Sequence, residues 1–326
     1  MSLIHNADGL SVYNADLLDA LPELAPGSID AVVTSPPYAM QRASTYGGVP
    51  EKDYPDWTVA WMNALKPALK DTGSVIINIR PHIKNGQISD YVLRTRLALR
   101  DAGWCELEEL IWFKRSSPPT GSPSRPRRSW ESLHWFGKHG RAYGNPKANG
   151  QTAIPRTGKA NPWMVGHVED REGWDHGLRG GMSFAEGQQA RCMNVAEVNL
   201  GRKTEFERAN AHPATYPWQL AEWCAKLICP PGGTVLDPFA GSGSTAVAAL
   251  RNGFQSVAIE REPEYAQMIV DRYQNELAQR TTLQAGRDKG FRSIGIEADA
   301  DYVALIRERL EQGSGEPDLF TFGSGG

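Results

Sequence analysis

Two stretches decide the fold class as a pair: Thr34–Tyr38, which reads TSPPY, and Asp237–Thr245, which reads DPFAGSGST. Each follows a short apolar run, Ile29-Asp30-Ala31-Val32-Val33 before the first and Gly233-Thr234-Val235-Leu236 before the second. Runs of this length bounded by turn residues read as buried strands. A strand that ends in a glycine-rich turn and then a helix is the usual nucleotide-cofactor site of an open α/β sheet. A strand that ends in Ser-Pro-Pro-Tyr is a narrower feature.

Working outward, strands alternate with helices. Leu10–Asn14 reads as a strand, Asp16–Leu24 as a short helix, Ala39–Asp56 as a flexible Gly/Pro-rich loop and Trp57–Leu69 as an amphipathic helix. Ser74–Ile79 and Cys105–Phe113 read as strands around a helix at Ser89–Ala102, and Glu131–Phe136 as another strand. Gly137–Arg202 has poor periodicity and reads as an insert. Pro217–Leu227, Ser244–Arg251 and Glu264–Ala278 read as helices, with a strand at Ser256–Glu260. The alternation predicts a mostly parallel, doubly wound α/β sheet with ligands at the carboxyl ends of its strands.

Composition narrows the class. The apolar content of 40% supports a real core. No apolar run approaches the roughly 20 residues that span a bilayer, and Met1–Asp16 lacks the basic start and apolar run of a signal peptide, so a cytoplasmic protein is expected. Cys105, Cys192, Cys224 and Cys229 show no metal-ligand spacing and read as buried thiols. The net charge of −3 argues against a uniformly basic coat, but Lys114–Lys159 holds ten Lys/Arg against one acid, Glu131. Aromatics interleave with those cations, as on a phosphate-binding surface.

With both motifs in this order, the chain resembles the amino-methyltransferases of DNA, in the permuted β group whose catalytic half precedes the target-recognition region and whose cofactor half comes last. The resemblance covers about residues 10–275. It implies a circularly permuted Rossmann-like methyltransferase fold: residues 1–136 as the catalytic half, 137–202 as the target-recognition region and 203–278 as the cofactor half. A duplicated helix–strand–helix unit at 279–310 and a disordered tail at 311–326 complete the expected organisation.

The implied activity is transfer of a methyl group from S-adenosylmethionine to the exocyclic amine of a flipped base in double-stranded DNA. Such an amine is a poor nucleophile, and acceptors on its two hydrogens promote pyramidalisation. Ser35 and the Pro36 carbonyl are the two expected acceptors, Pro37 stiffens the turn, and Tyr38 offers a face for stacking. Cys229 precedes Pro230, the wrong order for a carbon-5 enzyme's nucleophile, so transfer is expected to be direct. Ser before Pro-Pro-Tyr leans toward N4 of cytosine within the family, with N6 of adenine as the alternative. A protein or RNA methyltransferase, or a silent DNA-binding protein, are the other readings.

The resemblance also assigns the cofactor residues. Gly241 and Gly243 let backbone approach the ligand, Asp237 is placed to pair with the methionine amine, and Glu260 to accept the ribose hydroxyls. Asp16 falls at the position that contacts the adenine amine, and His212, Pro213, Ala214 and Thr215 in the element enclosing the methionine portion. Thr34, Pro238, Phe239, Ser244 and Thr245 complete the set. A phosphate loop is excluded because no Lys follows the glycines, and GxGxxG fails at Ala246. Lys114, Arg115, Arg125, Arg127, Arg128 and Lys138 are the expected DNA phosphate contacts. A cognate restriction endonuclease is an expected partner.

Two features fall outside the family pattern. Gly253–Tyr273 and Gly290–Leu310 align at an offset of 37 residues, pairing Glu260 with Glu297, but nothing opposite Asp237–Gly243 resembles the glycine turn. The second copy is expected to be structural. The tail carries Asp318-Leu319-Phe320, similar to peptides that dock bacterial sliding clamps.

Overall fold

The structure is a computed structural model and describes residues 2–39, 48–117, 124–150, 190–199 and 216–288. Eleven strands are present among them: β1 (Ser2–Ala7), β2 (Leu10–Asn14), β3 (Ile29–Thr34), β4 (Leu69–Ile79), β5 (Ile83–Lys84), β6 (Gln87–Ile88), β7 (Cys105–Phe113), β8 (Trp130–Gly137), β9 (Val195–Glu197), β10 (Thr234–Asp237) and β11 (Gln255–Glu260). Nine form one sheet in the order β1-β2-β11-β10-β3-β4-β8-β7-β9, and β5 and β6 form a separate hairpin. The five strands β2, β11, β10, β3 and β4 run parallel, while β1 and β8 pair antiparallel with β2 and β4. The doubly wound α/β class expected from the alternation is the class observed.

The helices are α1 (Leu17–Ala20, continued by a 3₁₀ turn at Leu21–Glu23), α2 (Tyr54–Leu65), α3 (Tyr91–Asp101), α4 (Trp218–Ile228), α5 (Ser244–Arg251) and α6 (Pro263–Asp288). α1, α2 and α3 bury Leu17, Tyr54, Trp61, Leu65 and Leu99 against Val32, Val75, Ile77 and Ile79 on one face of the sheet. α4 and α5 bury Leu220, Cys224, Ile228 and Ala248 against Ala31, Val33, Ile76 and Val235 on the other. α6 joins that side through Ile269 and Tyr273, over Leu10, Val12 and Ala258. From β3 the chain goes to β4 on one side, and from β10 to β11 on the other. The sheet therefore changes direction between β3 and β10, where open α/β sheets bind ligands. Both motifs end strands at that junction.

Several boundaries differ from expectation for local reasons. α2 begins at Tyr54 rather than Trp57, because Pro55 in its first turn is tolerated there and Tyr54 is fully buried. α6 continues past 278 to Asp288, so the chain does not break at the expected start of the duplicated unit. The ends of the expected insert belong to the main body: Tyr143 N–H donates to the Thr72 carbonyl at 2.7 Å, Asn145 N–H to Leu227 at 2.7 Å, and β9 adds beside β7. Cys224 and Cys229 are buried, but Cys105 and Cys192 are only half-buried. No helix among the described residues is long and apolar enough to cross a membrane. The second repeat copy with Glu297, the tail, and residues 151–189 of the expected recognition region lie outside the described residues.

Candidate active site

Along the carboxyl ends of β2, β11, β10 and β3 stand, in that order, Asp16, Glu260, Asp237 and Thr34. The row follows from the parallel register, which pairs Glu260 with Asn14. Ala15 N–H extends the ladder to the Glu260 carbonyl at 3.1 Å.

The glycine turn after β10 needs its glycines. Gly241 and Gly243 have φ of 51° and 80°, in the left-handed region that side chains rarely adopt. A Cβ on Gly243 would meet Ile269 of α6 at 3.2 Å. The turn then enters α5, with Ser244 and Thr245 buried in its first turn. Phe239 packs against Trp57 and Trp61 of α2 with ring centroids 5.5 Å away in each case, which ties this turn to the opposite layer.

Glu260 is 6% exposed. Its Oε2 accepts Gly241 N–H at 2.8 Å and its Oε1 accepts Glu262 N–H at 2.9 Å. Burial pushes its carboxyl up to about 6, against the pull of those two amides. Each oxygen keeps a further lone pair, so the group fits a pair of ribose hydroxyls. Asp16 is exposed and caps α1 by accepting Leu18 N–H at 2.9 Å through Oδ1. Its second carboxylate oxygen is free of that cap.

Asp237 departs from its expected role. Oδ1 accepts the Thr34 hydroxyl at 2.7 Å and Phe239 N–H at 3.1 Å; Oδ2 accepts the Thr245 hydroxyl at 2.6 Å and the Tyr216 hydroxyl at 3.2 Å. A carboxylate has about four acceptor positions, and all are taken inside the chain. Burial raises the carboxyl above its ordinary value while these bonds pull it down. A methionine amine has no open acceptor on this side chain. Asp237 instead fastens together the end of β3, the glycine turn, α5 and Tyr216, which follows Thr215 in the element expected to enclose the methionine portion. His212, Pro213, Ala214 and Thr215, just before Tyr216, lie outside the described residues.

The second motif leaves β3 beside this knot. Thr34 is 1% exposed, Pro36 is buried, and Ser35, Pro37 and Tyr38 are half-buried. Tyr54 O–H donates to the Pro37 carbonyl at 2.9 Å and so holds the turn against α2. Ser35 Oγ lies 3.5 Å from both the backbone carbonyl and Oδ1 of Asn78, at the end of β4. The Tyr38 hydroxyl donates to Glu131 Oε2 at 2.7 Å and stands 3.3 Å from Asn78 Oδ1. Asn78, in turn, donates to the Ser132 carbonyl at 3.2 Å. Burial and then the Glu131 charge keep the Tyr38 hydroxyl protonated.

Glu131 anchors this group, although nothing in the sequence assigns it a role in the site. Its Oε1 pairs with the Lys114 ammonium and lies 3.5 Å from Arg80. Burial alone would raise the Glu131 carboxyl, but Lys114 and Arg80 outweigh it and hold the group below its ordinary range. Lys114 is therefore not a phosphate contact. It is 8% exposed, paired with Glu131, and lies over the Trp112 ring at 3.9 Å from the centroid.

The other expected phosphate contacts divide. Arg115 forms a two-pronged pair with Glu197 at 2.6 and 2.9 Å, and Lys138 folds onto the Leu69 carbonyl with Asp71 at 3.4 Å, so both charges are already neutralised. Arg125, Arg127 and Arg128 are exposed. They donate to the backbone carbonyls of Gly86, Ser117 and Pro81, and none is paired with a carboxylate among the described residues.

Comparison with known proteins places this geometry. Residues 29–271 match the N6/N4 methyltransferase family described as DNA methylase, and the chain belongs to that family. The family's methyl donor is S-adenosylmethionine, and the protein is accordingly a DNA methyltransferase. Among curated relatives, the type II methyltransferase M.PvuII of Proteus hauseri is 25% identical over 279 residues, 78% of this chain and 81% of the relative. M.Cfr9I of Citrobacter freundii is 27% identical over 305 residues, 82% of this chain and 89% of the relative. The solved PvuII DNA methyltransferase, titled cytosine-N4-specific, superposes with a TM-score of 0.61 at 20% identity, covering 95% of each chain. A Thermus thermophilus protein solved with S-adenosyl-L-methionine gives 0.53 at 20% identity, over 81% of this chain and 93% of that one.

Proposed function

We propose that this methyltransferase acts directly on N4 of a cytosine swung out of duplex DNA, with no covalent intermediate on the protein. The observation that carries the reading is the Thr34–Asp237 hydrogen bond. It places the Ser35-Pro36-Pro37-Tyr38 turn one residue from the knot that shapes the glycine turn. S-adenosylmethionine supplies an electrophilic methyl group on a sulfonium. The chain's part is to hold the nucleophile: Ser35 Oγ and the Pro36 carbonyl accept the two amine hydrogens, and Tyr38 stacks on the base. The ring of Tyr38 is fixed for that by its bond to Glu131. Glu260 accepts the ribose hydroxyls, Asp16 lies by the adenine, and Gly241 and Gly243 admit the methionine portion. Arg125, Arg127 and Arg128 contact phosphates.

Ser35 supports cytosine over adenine, since the family prefers Ser before Pro-Pro-Tyr in its N4 enzymes. Adenine N6 is the alternative. The type II names of the relatives support a cognate restriction endonuclease, and such a system places the protein in the cytoplasm. The Asp318-Leu319-Phe320 tail is kept as a sliding-clamp contact, tested by a clamp pull-down against a truncation after Gln312. Modification-aware sequencing of DNA from an expressing host tests the main reading, because it returns base, position and site together. Methyl on N6 of adenine would replace the cytosine assignment, and unmodified DNA would overturn both.

A further inference from the structure

The hairpin formed by β5 and β6 lies outside the main sheet and outside every role assigned above. It leaves the end of β4 directly: Asn78, which faces Ser35 and Tyr38, is five residues before Ile83. Five residues of extended chain reach at most about 18 Å, so the hairpin stands within one duplex width of the base-holding turn.

Its construction is rigid on one face and bare on the other. Asn85 and Gly86 both have positive φ, 49° and 75°, the two-residue turn that matches strand twist. Ser89 N–H closes the base of the hairpin on the His82 carbonyl at 2.9 Å, and Tyr91 O–H holds the preceding Arg80 carbonyl at 2.6 Å. His82, Lys84 and Ser89 all bond to Glu51, at 2.8, 3.2 and 3.1 Å, which straps that face to the body. Side chains alternate along a strand, so Ile83 and Ile88, paired directly in register, share the opposite face. They are 39% and 63% exposed.

Cations are bonded to both ends of this hairpin. Arg125 donates to the carbonyl of Gly86 at the hairpin tip and Arg128 to that of Pro81 at its base, and neither is ion-paired with a carboxylate among the described residues. Partial burial, then repulsion by Arg80 and Arg125, lowers the Arg128 guanidinium from its ordinary value, with Glu131 opposing them. An anchored pair of exposed isoleucines on a hairpin with an arginine bonded at its tip and another at its base suits a polyanion with an apolar interior, which is duplex DNA with its stacked bases. Proteins that distort duplexes use this combination, inserting apolar side chains between bases while cations hold the phosphates.

Building on the base-flipping reading above, we propose that Ile83 and Ile88 enter the duplex beside the target nucleotide and occupy the space its base vacates, with Arg125 and Arg128 on the flanking phosphates. The hairpin lowers the cost of extruding the base and takes no part in holding it or in binding the methyl donor.

The test compares the wild type with an Ile83→Ser/Ile88→Ser variant on two duplexes carrying the site mapped by sequencing. One duplex is fully paired; the other has an abasic position opposite the target base, so that no pairing remains to be broken. The variant should lose about tenfold or more in kcat/KM on the paired duplex and keep wild-type rates within about twofold on the abasic one, as expected when only the cost of unpairing changes. Affinity for S-adenosylhomocysteine should be unchanged in both proteins. Equal losses on the two duplexes, or no loss on the paired one, would overturn the proposal. A wild type that modifies neither duplex would instead overturn the DNA base-flipping reading on which it rests.

Discussion

The Thr34 hydroxyl donates to Asp237 Oδ1 at 2.7 Å across the point where the sheet reverses its strand order, between residues 203 positions apart in the chain. One hydrogen bond thus joins the strand that presents the proposed base-holding turn to the strand that opens the proposed cofactor turn. Thr34→Val keeps the shape and removes the donor. A buried hydrogen bond to a charged group contributes about 1.5–3 kcal/mol, so denaturant melts should show a loss of that order. Transfer should fall and S-adenosylhomocysteine should bind more weakly, since both turns lean on the same carboxylate. Thr34→Ser should recover most of each. A Val variant with unchanged stability would show that Asp237 is held adequately by Thr245, Tyr216 and Phe239 alone.

The Glu131–Lys114 pair separates stability from chemistry. Both side chains are at least 90% buried, and breaking a buried pair by removing one partner costs about 3–5 kcal/mol. Glu131→Gln should therefore destabilise strongly, because Lys114 loses its counter-charge, with Arg80 already on the same carboxylate. Glu131→Gln with Lys114→Met should restore much of the stability, because no buried charge is left alone. Transfer should stay low in the double variant if the charge is what fixes Tyr38. Full activity in a stable double variant would reduce Glu131 to a packing role.

With Glu260 as the proposed ribose acceptor, donor affinity should depend on pH. The Glu260 carboxyl is raised to about 6 in the folded chain, above the ordinary carboxylate value. Ribose hydroxyls need the ionised form as acceptor, so affinity for S-adenosylhomocysteine should be flat above about pH 7 and fall as pH drops through about 6. The sign for folding is opposite: the folded chain binds this proton more tightly than the unfolded chain, so this group's contribution to stability falls as pH rises between the two values. Glu260→Gln should bind the donor weakly at every pH, with the pH dependence gone, and should melt no lower than wild type at pH 8. Calorimetric titrations from pH 5 to 8 on both proteins decide it.

How much of this was legible in the sequence varied with the range of the interactions. The two motif turns were readable because each is a local strand–turn unit whose chemistry sits within nine residues. Glycine at 243 is demanded by a positive φ that local sequence announces. The Lys114–Glu131 pair was not readable. Lys114 follows an apolar run in a segment of ten cations, and only the antiparallel register, which sets Trp112 opposite Glu131, brings the acid to it. The saturation of Asp237 was hidden in the same way, because three of its four donors come from side chains 8, 21 and 203 residues away. The short strands β1, β5, β6 and β9 lack a buried apolar pattern, though Asn85-Gly86 is a strong hairpin signal in its own right.

Of the six expected phosphate contacts, three have no carboxylate partner among the described residues. Among the described residues, Arg125, Arg127 and Arg128 donate to carbonyls and to no carboxylate, while Lys114, Arg115 and Lys138 face carboxylates. Replacing the three arginines by Ala should weaken binding to all DNA sequences alike. Each lost contact removes about 0.9 from the logarithmic salt slope, so the triple variant should lose about 2.7. Arg115→Ala should leave the slope nearly unchanged, because its charge is already met by Glu197. A slope that drops as much for Arg115→Ala as for each of the three would mean that the Glu197 pair opens on DNA.

Tyr38 carries two roles that two substitutions pull apart. Its ring is the proposed stacking face, and its hydroxyl fixes that ring by donating to Glu131 at 2.7 Å. Tyr38→Phe keeps the face and loses the anchor, while Glu131 retains Lys114 and Arg80, so no buried charge is orphaned. Transfer by the Phe variant should fall modestly, with the loss in kcat rather than in donor affinity. Tyr38→Ala removes the face as well, and base–aromatic stacking is worth about 1–3 kcal/mol, so its kcat/KM should fall further by about 5- to 150-fold. Donor affinity should stay near wild type in both, since Tyr38 sits on the β4 side of β3 and the proposed donor site lies toward β10 and β11. Single-turnover transfer and S-adenosylhomocysteine calorimetry on the three proteins give the comparison. An Ala variant no slower than the Phe variant would place the base against some other surface than this ring.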